Sequence, residues 1–208
     1  MTRDDALDRL AQYATRGAAG IRLNPTQRSP GSDPLAIWRR ADELGLVVSC
    51  MGGVDETASD DFSELVAAFP GLPIILEHLA GGGEGAAFPV NGPGPQPPYT
   101  TFKKAVELAR FPNTFIKVHG YRRDITAASR APDEVRLRLL RLDTSARRAR
   151  TRRVRRGRMM WGSDYPPVSQ REGYRNALHG VMDNPAFDTQ EDREWVMGKT
   201  ALGVFRLE

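Results

Sequence analysis

The sequence holds a single cysteine, Cys50, in 208 residues. One thiol closes no internal disulfide and builds no cysteine-based zinc site, so a stapled secreted scaffold and a zinc-finger fold are both excluded. Long apolar runs are lacking as well: no window approaches the ~20 residues that a membrane-spanning helix needs. The opening Met1-Thr2-Arg3-Asp4-Asp5 leads into an amphipathic stretch, without the apolar core of a secretory signal. A cytoplasmic chain with no membrane partner is therefore expected. Histidine is scarce, with three residues (His78, His119 and His179) and none before His78. Any metal must be held mainly by these and by Asp or Glu.

What remains is an ordinary soluble composition, 40% apolar and 27% charged, which suits a single domain at this length. The net charge of +4 is unevenly spread, because the segment 136–158 carries eleven arginines against one acid, Asp143. The rest of the chain is mildly acidic. A tract this basic could neutralise phosphates, but it has no aromatic residue for base stacking and no helix-turn-helix context. It reads as a solvated segment, and nucleic acid is not the expected partner.

The chain passes repeatedly from a helical pattern into a short apolar run, the pattern of βα units around a parallel sheet. Ala6, Leu7, Leu10, Ala11 and Ala14 share one helical face before Gly17 releases the chain into a strand over 18–23. Ser32 or Asp33 caps a helix with Pro34 in its first turn, and Gly45 ends it ahead of a strand over 46–50. Ser59 or Asp60 caps a helix over 62–69, followed by Pro70-Gly71 and a strand over 72–78. A Gly/Pro-rich loop from Gly81 to Pro98, a helix over 101–110 and a strand over 114–119 make a fourth unit. The last strand covers 158–162, and helices follow around 172–181 and 191–205. Apolar residues run on without alternating in these strands, as in parallel strands covered on both faces. Five strands alternating with helices give an α/β fold, whose ligands are expected at the carboxyl ends of the strands. Arg22, His78, His119 and Asp164 all fall at those ends.

Several segments resemble the amidohydrolase-2 group of metal-dependent hydrolases. They are Gly20-Ile21-Arg22-Leu23-Asn24, Ile74-Ile75-Leu76-Glu77-His78-Leu79-Ala80-Gly81, Asn113-Thr114-Phe115-Ile116-Lys117-Val118 and, most specifically, Trp161-Gly162-Ser163-Asp164-Tyr165-Pro166. The closing segment 198–205 resembles the final helix of that group. The resemblance implies a (β/α)8 barrel, with His78 and Asp164 as catalytic residues and as ligands of a divalent metal, zinc first among the candidates. A metal-bound water has its pKa lowered to about 7, and an aspartate beside it can take its proton and later deliver it to the leaving group. The implied substrates are small molecules: lactones, amides or carboxylated ring compounds. Some members of the group decarboxylate, and some lactonases use no metal.

Two departures stand beside these matches. The group's first strand carries His-x-His, and this sequence has no histidine before His78. A complete barrel also typically takes ~250 residues and eight strands. Residues 1–208 are therefore expected to form one amidohydrolase-related domain, truncated at its amino end: a partial barrel, either a hydrolase or an inactive remnant. The second departure is the arginine-rich stretch, which replaces a helix of mixed composition. Compensating frameshifts would produce it.

Individual residues carry competing readings. Arg22 could bind a substrate carboxylate through its fork of donors or pair with an acid at the rim. His119 could line the pocket as a substrate-binding residue or serve structure alone. Lys117 shares its strand face with His119, so both turn inward or both outward, and an inward lysine needs an acidic partner. Asp164 could cap its own turn instead of serving a site. Cys50 reads as a small buried apolar residue, Met160 and Trp161 as wall packing, and His179 as non-catalytic. An incomplete barrel leaves strand edges to be covered, so the purified chain is expected to form homo-oligomers; a concentration-independent monomer in light scattering would oppose that expectation.

Overall fold

Five short strands, all parallel, lie in chain order: β1 (Gly20–Leu23), β2 (Val47–Cys50), β3 (Ile74–Leu76), β4 (Thr114–His119) and β5 (Met159–Gly162). The computed structural model describes residues 5–81, 100–119, 157–170, 173–183, 187 and 189–207. Most of the Gly/Pro-rich loop and the arginine tract as far as Arg156 lie outside that set. The helices are α1 (Ala6–Thr15), α2 (Ala36–Glu43), α3 (Val54–Thr57), α4 (Asp60–Ala68), α5 (Thr100–Val106), α6 (Tyr174–Met182), α7 (Gln190–Glu194) and α8 (Thr200–Phe205).

The two faces of the sheet follow from the two-residue side-chain period. On the outer face Ile21, Leu23, Val48, Cys50, Ile74, Leu76 and Ile116 form one core with Leu10 of α1, Ile37, Trp38 and Ala41 of α2, and Phe62, Leu65 and Val66 of α4. Further along that face, Val118, Met159 and Trp161 pack with Val181 of α6 and Val196. On the inner face Val47, Ile75, Phe115 and Met160 pack against Ala201, Val204 and Phe205 of α8. In a closed barrel that interior is filled by side chains from the strands themselves. Here the carboxy-terminal helix supplies the apolar partners, and both faces are covered. This is why the strands read as continuous apolar runs.

Several expected boundaries move. Asp33 does not cap α2: its carboxylate accepts the Leu35 N–H at 3.0 Å and pairs with Arg39, while the helix begins at Ala36. The Arg39 guanidinium and the Leu35 N–H hold the Asp33 carboxyl below its usual range. Ser59 does cap α4, accepting the Phe62 N–H at 3.2 Å. The one-turn helix α3 had no periodic signal in four residues. The expected helix over 191–205 is α7 and α8 joined by a π-helical turn, Trp195–Lys199. Strand β3 ends at Leu76, two residues before His78.

Asn113, at the entrance to β4, is a buried clasp. Its side-chain amide donates to the Phe69 carbonyl at 2.8 Å, the Leu72 carbonyl at 3.1 Å and the Val66 carbonyl at 3.5 Å. These acceptors end α4 and shape the turn into β3, so one side chain ties the lead-ins of two neighbouring strands. Arg158, the last arginine of the basic segment, has a similar duty and donates to the Phe111 carbonyl at 2.8 Å and the Pro112 carbonyl at 3.2 Å. Burial lowers the pKa of its guanidinium from the usual value. Asn113→Ala would strand buried carbonyls without a donor, at about 1–3 kcal/mol. A clear drop in the urea midpoint without a change in slope is expected, and an unchanged midpoint would refute the clasp.

Candidate functional site

The carboxyl ends of β1, β2 and β3 are locked together by the residues that follow them. Asn24, just past β1, donates from Nδ2 to the Met51 carbonyl at 3.1 Å and reaches Glu56 Oε2 at 3.4 Å. Glu56 also accepts the Gly53 N–H at 2.8 Å. Gly81 has φ +76°, and a Cβ there would lie 2.6 Å from the Gly52 carbonyl oxygen. Only glycine lets the post-β3 turn sit this close to the post-β2 loop. A close-packed rim results, with its glycines at the points of contact.

That turn is a short left-handed stretch. His78, Leu79 and Ala80 have φ values of +50°, +53° and +59°, and the Gly81 N–H closes it onto the Glu77 carbonyl at 3.1 Å. Left-handed backbone costs roughly 1–2 kcal/mol per non-glycine residue. The tie from the Leu79 N–H to the Lys117 carbonyl at 3.2 Å helps to hold it. Residues kept in such conformations cluster at functional sites. His78 is buried at the start of this turn and does not continue the pleat of β3.

Asp164 follows the end of β5 and also has a left-handed φ, +55°. It is half-buried. Its carbonyl accepts the Val168 N–H at 3.1 Å, and the Ser163 hydroxyl accepts the Tyr165 N–H at 3.3 Å. The turn is thus held by the Ser163 side chain and the Asp164 main chain. β3 and β5 flank β4, so His78 and Asp164 stand two strands apart on one edge, roughly 10 Å at ordinary strand spacing. His119 closes β4 between them, its backbone opposite Gly162; its side chain lies outside the described residues.

The inner face below this edge holds a cluster that no single motif announced. Glu77 is buried, with its side chain 1% exposed. Its Oε1 accepts from Lys117 Nζ at 2.6 Å and makes a short contact with the Ser49 hydroxyl. Arg22 Nη2 stands 3.9 Å from the same oxygen, with its own side chain 61% exposed. Four neighbouring strands contribute in order: Arg22 from β1, Ser49 from β2, Glu77 just past β3, and Lys117 from β4. Lys117 is therefore the inward-facing lysine that needed an acid, and Glu77 is that acid. The rim-acid reading of Arg22 holds only loosely, since its guanidinium is mostly exposed and stands 3.9 Å from the buried acid.

Among the described residues, no group of three or more His, Cys, Asp or Glu comes together to hold a metal ion. Cys50 is buried, and burial pushes its thiol up in pKa, with the Glu56 and Glu77 carboxylates adding to the effect. It is packing, not a nucleophile. Met160 lies in the inner core and Trp161 meets Tyr174 edge-on at 5.5 Å, both wall residues as expected. His179 is exposed on α6, 3.3 Å from Asp183. No described helix is long and apolar enough to cross a membrane.

A parallel sheet with polar groups gathered at its carboxyl edge is the plan of a barrel enzyme, here with five strands. The amidohydrolase family model matches residues 1–207, and the chain belongs to that family. Among solved structures, a probable 2-pyrone-4,6-dicarboxylic acid hydrolase from Acinetobacter baumannii, with citric acid bound, superposes with a TM-score of 0.66 at 14% identity. The match covers 97% of this chain and 69% of that one. An amidohydrolase from Burkholderia multivorans with bound zinc gives a TM-score of 0.65 at 17% identity, covering 99% and 70% of the two chains. No curated protein matches. These neighbours are TIM barrels, so the present fold is a partial barrel of the amidohydrolase type.

Cys50 should resist a thiol reagent at about pH 8 in the native protein and react fully in denaturant. Rapid native labelling would contradict the packing at the end of β2.

Proposed function

We propose that this chain hydrolyses a lactone, an amide or a related bond in a carboxylated ring compound, with Asp164 as the proton-accepting residue. The observation that carries the reading is the shared edge: Asp164 follows β5 and His78 follows β3, both in constrained left-handed turns, on a sheet whose inner face holds two cations and one buried acid. Asp164 takes a proton from a water molecule as its oxygen adds to the substrate carbonyl carbon. The bond from that carbon to the ring oxygen or nitrogen then breaks, and the proton passes to the departing atom. An N–H of His78 is suited to donate to the carbonyl oxygen as negative charge grows there. Arg22, largely exposed at the rim, is the residue to hold a substrate carboxylate by paired hydrogen bonds. His119 is proposed as a further substrate-binding residue.

The reading is supported by family membership and by the neighbours' names, one a dicarboxylic acid hydrolase. A divalent metal, zinc in the Burkholderia structure, belongs to the proposal through His78 and Asp164. The described donors do not by themselves assemble a metal cage. Small-molecule substrate, cytoplasmic location and self-association remain parts of the proposal.

The test is turnover of 2-pyrone-4,6-dicarboxylate and a panel of simpler lactones and amides, alongside metal analysis by mass spectrometry. Asp164→Asn is expected to lower kcat about 10²- to 10⁴-fold with the fold intact by circular dichroism. Wild-type-like turnover in that variant, or carbon dioxide as the product, would refute hydrolysis assisted by Asp164.

A further inference from the structure

The floor of the site carries more positive charge than its buried acid neutralises. Arg22 and Lys117 both approach a single oxygen, Glu77 Oε1, at 3.9 Å and 2.6 Å, so the group of three has a net charge of +1. Among the described residues Glu77 is the one partner of each cation. A lysine ammonium has three N–H donors, and one of them goes to Glu77. At 3.9 Å the Arg22 guanidinium is too far for a hydrogen bond to that oxygen, which leaves its donor fork for other acceptors. Glu77 itself is buried and already accepts from Lys117, besides its contact with Ser49.

We propose that Lys117 is a second carboxylate-binding residue of this site and that Glu77 is the residue that positions it next to Arg22. This inference rests on the functional reading above, in which a carboxylated substrate enters at the carboxyl edge. The side chain of Lys117 is 19% exposed, with its ammonium fixed by Glu77. A substrate carboxylate bridging Lys117 and Arg22 would bring the group to zero net charge. A neutral ligand would leave the +1 uncompensated, and a second carboxylate at the same spot would exceed it. The subsite therefore favours an anionic ligand with a carboxylate directed at β1 and β4. Ser49 contacts the acid from the β2 side.

The test uses a charge-neutral double substitution, Glu77→Gln with Lys117→Met, which removes one positive and one negative charge and leaves Arg22 in place. Citrate, the tricarboxylate bound in the Acinetobacter structure, is titrated by calorimetry into the wild type, the double variant and Arg22→Gln. If Lys117 touches the carboxylate, the double variant binds citrate roughly ten-fold more weakly or worse, the scale of one lost charge-assisted hydrogen bond. Unchanged affinity in a folded double variant overturns the role of Lys117, because the net charge has not moved. That result together with a loss in Arg22→Gln would leave the carboxylated-substrate reading standing. Absence of citrate binding by the wild type, together with no turnover of any carboxylated lactone, would overturn both. Should the double variant fail to fold, Lys117→Arg keeps the charge and the pair but changes the donor geometry. It is expected to raise KM for a carboxylated lactone and leave KM for an uncarboxylated one unchanged; equal shifts for the two would overturn the proposal.

Discussion

Glu77 places a carboxylate near the carboxyl edge of the sheet where water hardly reaches, and much of the local structure is arranged to make that tolerable. An isolated ion in such a position would cost several kcal/mol, and breaking a buried pair by removing one partner typically costs 3–5 kcal/mol. Lys117 supplies the opposite charge at 2.6 Å, Ser49 a hydroxyl contact, and Arg22 a more distant field. Because these residues come from adjacent strands, the acid acts as an electrostatic cross-tie over the sheet. A shift in the register of β4 by one residue would turn Lys117 to the outer face and leave Glu77 unpaired. The same carboxylate thus enforces register and sets the charge of the site.

Around this tie the rim is built by steric closeness more than by hydrogen-bond number. Gly81 presses on the Gly52 carbonyl, and Asn24 and Glu56 bridge the loops that follow β1 and β2. The three left-handed residues after Glu77 turn the chain sharply at the edge where the pleat would otherwise continue. Strain of this kind persists only when the surroundings over-determine it. Here the contacts of Gly81 and the bond between Leu79 and Lys117 do so.

On the inner face Val47, Ile75, Phe115 and Met160 pack against Ala201, Val204 and Phe205 of α8. In register, Arg22 and Ser49 are level with Ile75 and Phe115, and Lys117, one pleat nearer the carboxyl ends, is level with Met160.

The order of the elements was legible in the sequence because helical and strand periods differ and because Gly17, Gly45 and Pro70-Gly71 punctuate them. The placement of Arg22, His78, His119 and Asp164 at one edge followed from parallel strands alone. Several segments in order carried the resemblance to the family, and Trp161-Gly162-Ser163-Asp164-Tyr165-Pro166 was the most specific of them. Period two also put Lys117 on one face or the other and required an acid if that face was inward. It could not choose the acid: Glu77 lies forty residues away, and only strand pairing sets a β3 residue beside a β4 residue. The left-handed turn at His78 was hidden for a related reason, since no residue there is a turn former and its conformation is imposed by Gly81 packing on the neighbouring loop. The sequence alone determined which segments become strands and which residues reach the edge, because these depend on local period and punctuation. The tertiary structure decided which charges meet, which face is inner and what covers it, because those depend on register between segments that the chain keeps far apart.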